Sequence, residues 1–228
     1  MGGQREEELF EALVDGALLG DDIIALADAR GMPLAEQYIP FVIALPKSTR
    51  APRAARPGNL AVADGDRLLG LLAGPELDGQ VADAGGDAVF AIGEPTPRVE
   101  LRQALGELQA LVDLGVRLGR SGRMELDDHL PELLLAGSPR LAERLRRLAL
   151  GPLEEYAAQR RTELLETLAT FVSCNLDRRA AAARLEVHPN TLDYRLRRAE
   201  ELTGLSLSSI SDRVLICLAL TQRECATR

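Results

Sequence analysis

Apolar positions along this chain follow one rhythm in its first half and another in its last third. From Glu6 to Leu19 they fall at Leu9, Phe10, Leu13, Val14, Ala17 and Leu18, the spacing of an amphipathic helix. A second short helix is expected from Asp22 to Ala29, ending at Gly31. Tyr38 to Leu45 (YIPFVIAL) is a compact apolar run rich in β-formers and closed by Pro46, which predicts a buried strand. Pro40 inside it suggests that pairing starts after that residue. Lys47 to Asn59, with four basic residues and Pro52, Pro57 and Gly58, reads as a loop. Leu60 to Ala63 and Arg67 to Leu72 flank Asp64-Gly65-Asp66, a tight hairpin. Asp87 to Ile92 is another strand. Val99 to Leu118, with Leu101, Leu105, Leu108, Leu111, Val112 and Leu118 in helical register, is a long helix. Strand, hairpin, strand and long helix predict an α+β domain, not a parallel doubly wound sheet.

The rhythm then becomes helical throughout. Helices are expected at Thr162 to Val172, at Arg178 to Leu185, from Pro189 onward, and at Asp212 to Thr221. Asp177 is an N-cap residue, and Ala180, Ala181 and Ala183 are small enough for close packing. Glu186, Val187 and His188 turn the chain, and Pro189 stands at the first position of the next helix, where its missing N–H costs nothing. Leu192, Leu196, Ala199 and Thr203 share one face of that helix. The other faces carry Asn190, Thr191, Tyr194, Arg195, Arg197 and Arg198, residue types that bond phosphates and base edges. Helix, short turn and basic helix spell a helix-turn-helix. On pattern alone the arginines serve equally well as the solvated face of an ordinary helical protein.

Charge sharpens the picture. The whole chain carries −8, with pI about 5.0. Residues 1–155 hold 16 Lys/Arg against 26 Asp/Glu, a net of −10, whereas residues 156–228 hold 11 against 9, a net of +2. Duplex binding draws on local positive charge, and an acidic remainder weakens non-specific adhesion. Aromatics make up 3% and tryptophan is absent, so the cores must be built from leucine, alanine and valine. Three cysteines, Cys174, Cys217 and Cys225, have no CxxC or His-paired spacing; they fit a reduced cytoplasm and predict no metal site. Cys217, inside VLICLAL, is expected to be a buried small hydrophobe. MGGQREEELFEALV has no basic region leading into an apolar one, and no apolar run reaches membrane-spanning length, so a cytoplasmic protein is expected.

The segment Leu164 to Leu220 supplies LLETLATFV, then AAARLEVHPNTLDYRLRRAEELTGLSL, then DRVLICLAL. In order and spacing it resembles the C-terminal domain of the PucR/CdaR family of bacterial transcriptional regulators, whose pattern is LLxTLxxY, AAxxLxVHxNTxxYRLxxIxxLTG and LxLAL. The chain departs from that pattern at Glu186, where the family commonly has glycine, and at Pro189, where arginine often follows the histidine. Asp193 adds a carboxylate to the face that would meet DNA. A non-glycine at a left-handed position 186 costs roughly 1 kcal/mol. In element order, and in fragments such as LVDGALLGDD and the LALGPLEEY linker at Leu148 to Tyr156, the first half resembles the degenerate cyclase-like (GGDEF-like) domain of the same family. The resemblance implies residues 1–35 as an N-terminal helical segment, 36–150 as a GGDEF-like regulatory and dimerisation domain, and 151–228 as the DNA-binding domain. It leaves no room for the further N-terminal sensory domain of many such regulators.

What the resemblance implies for function is a bacterial, dimeric regulator of transcription. The helix at Arg178 would cross the DNA backbone, with Arg178 and Arg179 near phosphates, while the helix beginning at Pro189 enters the major groove. Asn190 is the candidate for adenine readout and Arg195 or Arg198 for guanine, with Thr191 and Tyr194 on the backbone and Arg197 beside them. If Arg195 reads a base, Arg195→Ala should weaken duplex binding by about 1–3 kcal/mol. His188, at the N-cap, either accepts from a backbone N–H or reaches a phosphate. The partners expected are double-stranded DNA, a second copy of the chain and an unidentified small-molecule effector or protein. A protein–protein or signalling module that retained the helix-turn-helix is the alternative.

An enzyme is not expected, and neither is a cofactor. Gly85-Gly86-Asp87-Ala88 imitates the cyclase signature, but Ala88 replaces its second acid and Tyr38 to Leu45 contains no carboxylate to share a metal ion. By element order the equivalent hairpin is Asp64 to Asp66, which has no glycine pair; paired aspartates there serve as turn formers. His129 and His188 are the chain's two histidines, too few for a plausible nucleophilic arrangement. His129 is expected to help begin a helix, and Arg144, Arg146 and Arg147 to form the wet side of one.

Overall fold

The computed structural model describes residues 2–15, 21–32, 34–45, 59–74 and 88–227. The expected loop at Lys47 to Asn59 lies outside them except for Asn59, as do Gly85-Gly86-Asp87 and the end of the first helix beyond Asp15. The contacts divide the chain into two units, Met1–Leu130 and Pro131–Arg228.

The first unit is α+β. Helices α1 (Gly2–Asp15) and α2 (Asp21–Arg30) lead into strand β1 (Gln37–Ala44), the hairpin β2 (Leu60–Asp64) and β3 (Arg67–Leu72), and β4 (Val89–Ile92). The short β5 (Thr96–Pro97), helix α3 (Leu101–Arg117) and β6 (Gly122–Met124) complete it. The sheet runs β2-β3-β1-β4-β6, with β5 pairing with β1 outside that path. Every pairing is antiparallel except β4 with β6. The sheet is therefore antiparallel with one parallel pair at its edge. A parallel pair needs a crossover, which α3 supplies, and three residues are too few for β6 to show an alternation.

β1 is central, between β3 and β4, and apolar on both faces, which is why its sequence reads as a continuous run. Pairing does not wait for Pro40: Ile39 and Pro40 already lie opposite Leu72 and Leu71, and Gln37 and Tyr38 opposite Pro97 and Thr96. The Pro40 carbonyl accepts from the Gly93 N–H at 2.8 Å, so that residue's polar edge faces the β4 side at the start of the β1–β4 ladder. The missing N–H faces the same β4 side, so at this end rung Gly93 donates and Pro40 donates nothing back, which a strand tolerates at the end of a ladder. At the hairpin, Gly65 has φ 60 and Asp66 does not have positive φ, the pattern of a type II′ turn. The expected helix appears as Leu101–Arg117 behind a 3-10 turn, Arg98–Glu100, that leaves Val99 exposed. Leu101, Leu105, Leu108, Leu111, Val112 and Leu114 are buried.

One close approach matters on the opposite face. Phe41 and Gly70 are cross-strand partners, and a Cβ on Gly70 would lie 2.1 Å from Cε1 and Cζ of the Phe41 ring. The ring occupies the space that a side chain at position 70 would need, surrounded by Ile43, Leu68, Leu72 and Ala88.

The second unit is helical: α4 (Leu130–Gly137), α5 (Pro139–Glu154), α6 (Ala158–Ser173), α7 (Arg178–Arg184), α8 (Pro189–Thr203) and α9 (Ile210–Thr227). His129 ends a 3-10 turn, Asp127–His129, immediately before α4. The core joins Leu150 and Leu153 to Leu164, Leu165, Leu168 and Phe171, and these to Leu192, Leu196, Ile216 and Leu220. The LALGPLEEY segment is thus the end of α5, helical through Glu154, with Pro152 in its last turn and Leu150 and Leu153 fully buried. Gly151-Pro152 reads as a breaker in isolation, but burial of the flanking leucines outweighs the one bond that proline removes so close to a helix end. By contacts α1 and α2 group with the sheet, and α5 with the helices.

α7 begins at Asp177, whose Oδ1 accepts from the N–H of Arg179 at 2.8 Å and of Ala180 at 3.1 Å, as expected. Asp177→Ala should cost about 1 kcal/mol, measured by urea unfolding of the full chain. Asp177→Asn should restore most of it.

Candidate nucleic-acid interface

Two helix ends of the same design set α7 between its neighbours. At the end of α6, Asn175 (φ 54) and Leu176 (φ 64) donate to the carbonyls of Val172 and Phe171. At the end of α7, Glu186 (φ 55) donates to Ala183 at 3.2 Å and Val187 to Ala182 at 3.0 Å. Each pair of bonds closes a Schellman motif, which wants a left-handed residue just past the helix. Glu186 therefore occupies the conformation glycine holds most cheaply. Its side chain is exposed, so Glu186→Gly should stabilise the chain by about 0.5–1 kcal/mol in a thermal melt. Destabilisation instead would show that the carboxylate contributes more than the strain removes.

The turn delivers His188 to the N-cap of α8, where its Nδ1 accepts from the Asn190 N–H at 3.2 Å. Of the two roles open to that ring, the structure shows the capping one. Gly204 (φ 70) closes the helix. Beyond it Glu200 accepts from the Leu207 N–H at 2.7 Å and Asp212 from the Ser206 N–H at 2.9 Å, fixing the LTGLSL turn.

α8 buries Leu192, Leu196 and Ala199 against α6 and α7. Its opposite face presents Asn190, Tyr194, Arg197 and Glu201, spaced four, three and four apart and all exposed, Tyr194 to 63%. Thr191 is exposed beside them. Arg179 and Arg197 make no ion pair among the described residues. The other three arginines singled out from the sequence are engaged within the unit. Arg178 donates through Nε to Asp193 at 3.0 Å and lies 5.6 Å from the centroid of the buried Phe171 ring. Arg195, its side chain 22% exposed, pairs through Nη2 with Glu163 of α6 at 3.4 Å. Arg198 bonds Glu201 at 2.8 Å, and its guanidinium stacks on Tyr156 with 3.4 Å between Nη2 and the phenol oxygen. Hydrogen bonding to Arg198 first, and then to Arg160, holds the Tyr156 hydroxyl below the usual phenol range.

α8 thus has a polar outward face flanked by two braced edges. One edge, toward α7, carries Arg178–Asp193; the other carries Arg195–Glu163 and Arg198–Tyr156. Glu163 and Tyr156 were not legible in sequence, because neither is near α8 in the chain and only helix packing brings them there. Thr167 is fully buried and donates to the Glu163 backbone carbonyl at 2.6 Å. The cysteines are free thiols; Cys217 is half-buried, and desolvation raises its thiol above the usual range. Among the described residues no helix is long and apolar enough to cross a membrane.

Residues 164–221 match the model of the PucR C-terminal helix-turn-helix domain. Among curated proteins the chain is similar to the carbohydrate diacid regulator of Escherichia coli (strain K12), 44% identical over 61 residues that make up 27% of this chain and 16% of that protein. It is also similar to the proline-responsive transcriptional activator PutR of Bacillus subtilis (strain 168), 39% identical over 59 residues, 26% of this chain and 14% of that one. The chain therefore spans about a sixth of the length of these relatives. Among solved structures it aligns with a regulator of polyketide synthase expression from Bifidobacterium adolescentis at 21% identity and a TM-score of 0.42, over 99% of this chain and 100% of that one.

Proposed function

We propose that this protein is a transcriptional regulator that binds double-stranded DNA, with α8 in the major groove and the N-terminus of α7 against the backbone. One observation carries the reading: within a segment matching a PucR-type helix-turn-helix, α8 turns Asn190, Tyr194 and Arg197 outward along one line, opposite its buried leucines. That is the arrangement by which a recognition helix meets base edges. Asn190 suits adenine and Arg197 guanine, Thr191 and Tyr194 suit the backbone, and Arg178 and Arg179 lie at the end of α7 that would approach phosphates. His188 contributes by capping α8. Arg195 and Arg198 join the interface by leaving their internal partners.

One such unit covers few base pairs, so the working form is a homodimer on two half-sites about one helical turn apart. The first unit is the regulatory part, of degenerate cyclase-like type and without catalysis. In support, β1 (QYIPFVIA) contains no carboxylate, and the turn of the hairpin at its side, Asp64-Gly65-Asp66, has no glycine pair. Three of the five arginines on α7 and α8 singled out above are already paired with Asp193, Glu163 or Glu201. That pairing also favours the second reading, a helix-turn-helix turned to a protein partner.

Selection of duplexes from a random pool by the purified chain, followed by anisotropy titration at several salt concentrations, separates the two. A paired-half-site motif, with log affinity falling steeply against log salt, supports the regulator. No enrichment and only weak, salt-insensitive binding would favour the protein-binding module.

A further inference from the structure

Asp193 stands one turn past Asn190, on the edge of α8 that faces α7. A carboxylate turned toward a polyanion is repelled unless the protein neutralises it. Arg178, the first residue of α7, does so: its Nε donates to Oδ1 of Asp193 at 3.0 Å. The guanidinium is seated in turn over the ring of Phe171, 5.6 Å from its centroid, and that ring is buried in the core at the end of α6. Arg178 spends only Nε on this pair; among the described residues its two Nη groups bond nothing. Asp193 likewise spends one oxygen. Its Oδ2 has no partner among the described residues, and the side chain is 47% exposed. The pair is not needed to hold α7 against α8. Ala181 and Ala182 of α7 and Leu192 and Leu196 of α8 are buried in one core, and a partly exposed ion pair adds little to such packing.

We propose that Asp193 reads a cytosine in each half-site through Oδ2, with Arg178 as the positioning residue that aims it and cancels its charge. This rests on the DNA-binding reading above. An ionised carboxylate only accepts hydrogen bonds. On the major-groove edge cytosine presents an amino donor and no acceptor. Guanine presents two acceptors and thymine one, while adenine sets the acceptor N7 beside its amino group. Cytosine therefore meets Oδ2 with a donor alone, and each other base brings an acceptor against it. A desolvated carboxylate facing an acceptor costs more than a bond left unmade. Nothing has to break on docking: Nε stays on Oδ1, the Nη groups bond a phosphate, and Oδ2 accepts from the cytosine amino group. One guanidinium thus ties the reading oxygen to the DNA backbone, so that register and readout are set together. Asn190 and Arg197 select by attraction. Asp193 selects mainly by exclusion.

The test is anisotropy titration of the full chain against the selected duplex and its single-base variants. For the wild type, one cytosine per half-site should be read so that replacing its base pair weakens binding by about 5- to 150-fold. Asp193→Ala should level that position, with all four variants bound within about twofold of one another. Asp193→Asn should move the preference to adenine, which an amide matches with one donor and one acceptor. Arg178→Gln should relax the same cytosine and shrink the log–log salt slope by about 0.9, since aim and phosphate contact go together. Glu186→Gln, an exposed acid in the turn, should leave the base preferences as they are. Thermal melts of each variant report folding separately.

Base preferences unchanged at every position in folded Asp193→Ala and Asp193→Asn would reduce the pair to a tether between helices and overturn the proposal. So would a uniform gain on all duplexes, which is the effect of bulk charge. A cytosine preference that survives Arg178→Gln would remove Arg178 as the positioning residue. If the wild-type chain binds no duplex even at low salt, the DNA-binding reading itself fails, a result distinct from binding whose base pattern Asp193 does not set.

Discussion

Gly70→Ala is expected to destabilise the first unit by about 3 kcal/mol, the upper end of what an overpacked core costs. The added methyl would stand 2.1 Å from two atoms of the Phe41 ring, a distance no pair of carbons tolerates. Phe41 is almost wholly buried, on the central strand, among Ile43, Leu68 and Leu72. Relief therefore requires the ring to leave its rotamer or β3 to shift against β1, and either breaks packing on both sides of the clash. Urea unfolding of the full chain, followed by a probe that reports the sheet, measures the loss. In a Phe41→Leu background the same Gly70→Ala change should cost far less, since the obstructing ring is gone. A cost below about 0.5 kcal/mol in the wild-type background would show that the ring does not lie over Gly70.

Asn190→Ala and Arg197→Ala should each weaken binding to the selected duplex by about 1–3 kcal/mol. Both side chains are exposed on the outward line of α8, so neither change should move thermal stability by more than about 0.5 kcal/mol. The two effects should differ in kind. Loss of the Asn190 amide removes a donor and an acceptor matched to one adenine, so discrimination at that position relaxes while the salt slope holds. Loss of Arg197 removes a charge. If Arg197 reads a guanine, discrimination at that base falls; if it bonds a phosphate, affinity drops uniformly and the salt slope shrinks by about one. Titrations against single-base variants of the selected duplex decide between them. Unchanged affinity for both variants would place the outward line of α8 outside the interface.

The helix-turn-helix was readable because each of its signals is local. An N-cap aspartate, a proline at the first helical position, a four- and three-residue apolar spacing and a closing glycine act within a turn or two of chain. Asp177, Pro189, Leu192, Leu196, Ala199 and Gly204 all stand in the roles those signals specify. The left-handed bend at Glu186 stands where the family pattern has its glycine. The same local logic gave the hairpin at Gly65 and the long helix carrying Leu101, Leu105, Leu108 and Leu111.

Where local signals conflicted, burial decided. Gly151-Pro152 looked like a linker, yet Leu150 and Leu153 draw the segment into the helical core as the end of α5. Pro40 looked like a start to pairing, yet Ile39 and Pro40 are already paired with β3, and the missing N–H removes only one bond at the end rung of the β1–β4 ladder. β6 has three residues and no pattern of its own; it exists because α3 returns the chain beside β4.

The arginines divide along the same line. Residue type and helical spacing are enough to place a basic set on α8, since periodicity alone fixes which positions leave the buried face. Which arginines stand free and which are held depends on Glu163, Asp193 and Tyr156. Two of these three lie more than thirty residues from the arginines they engage, and no periodicity links positions so far apart. Local propensity wrote the helices and their ends into the chain. Packing of α6 and α7 around α8 chose the partners of its charges.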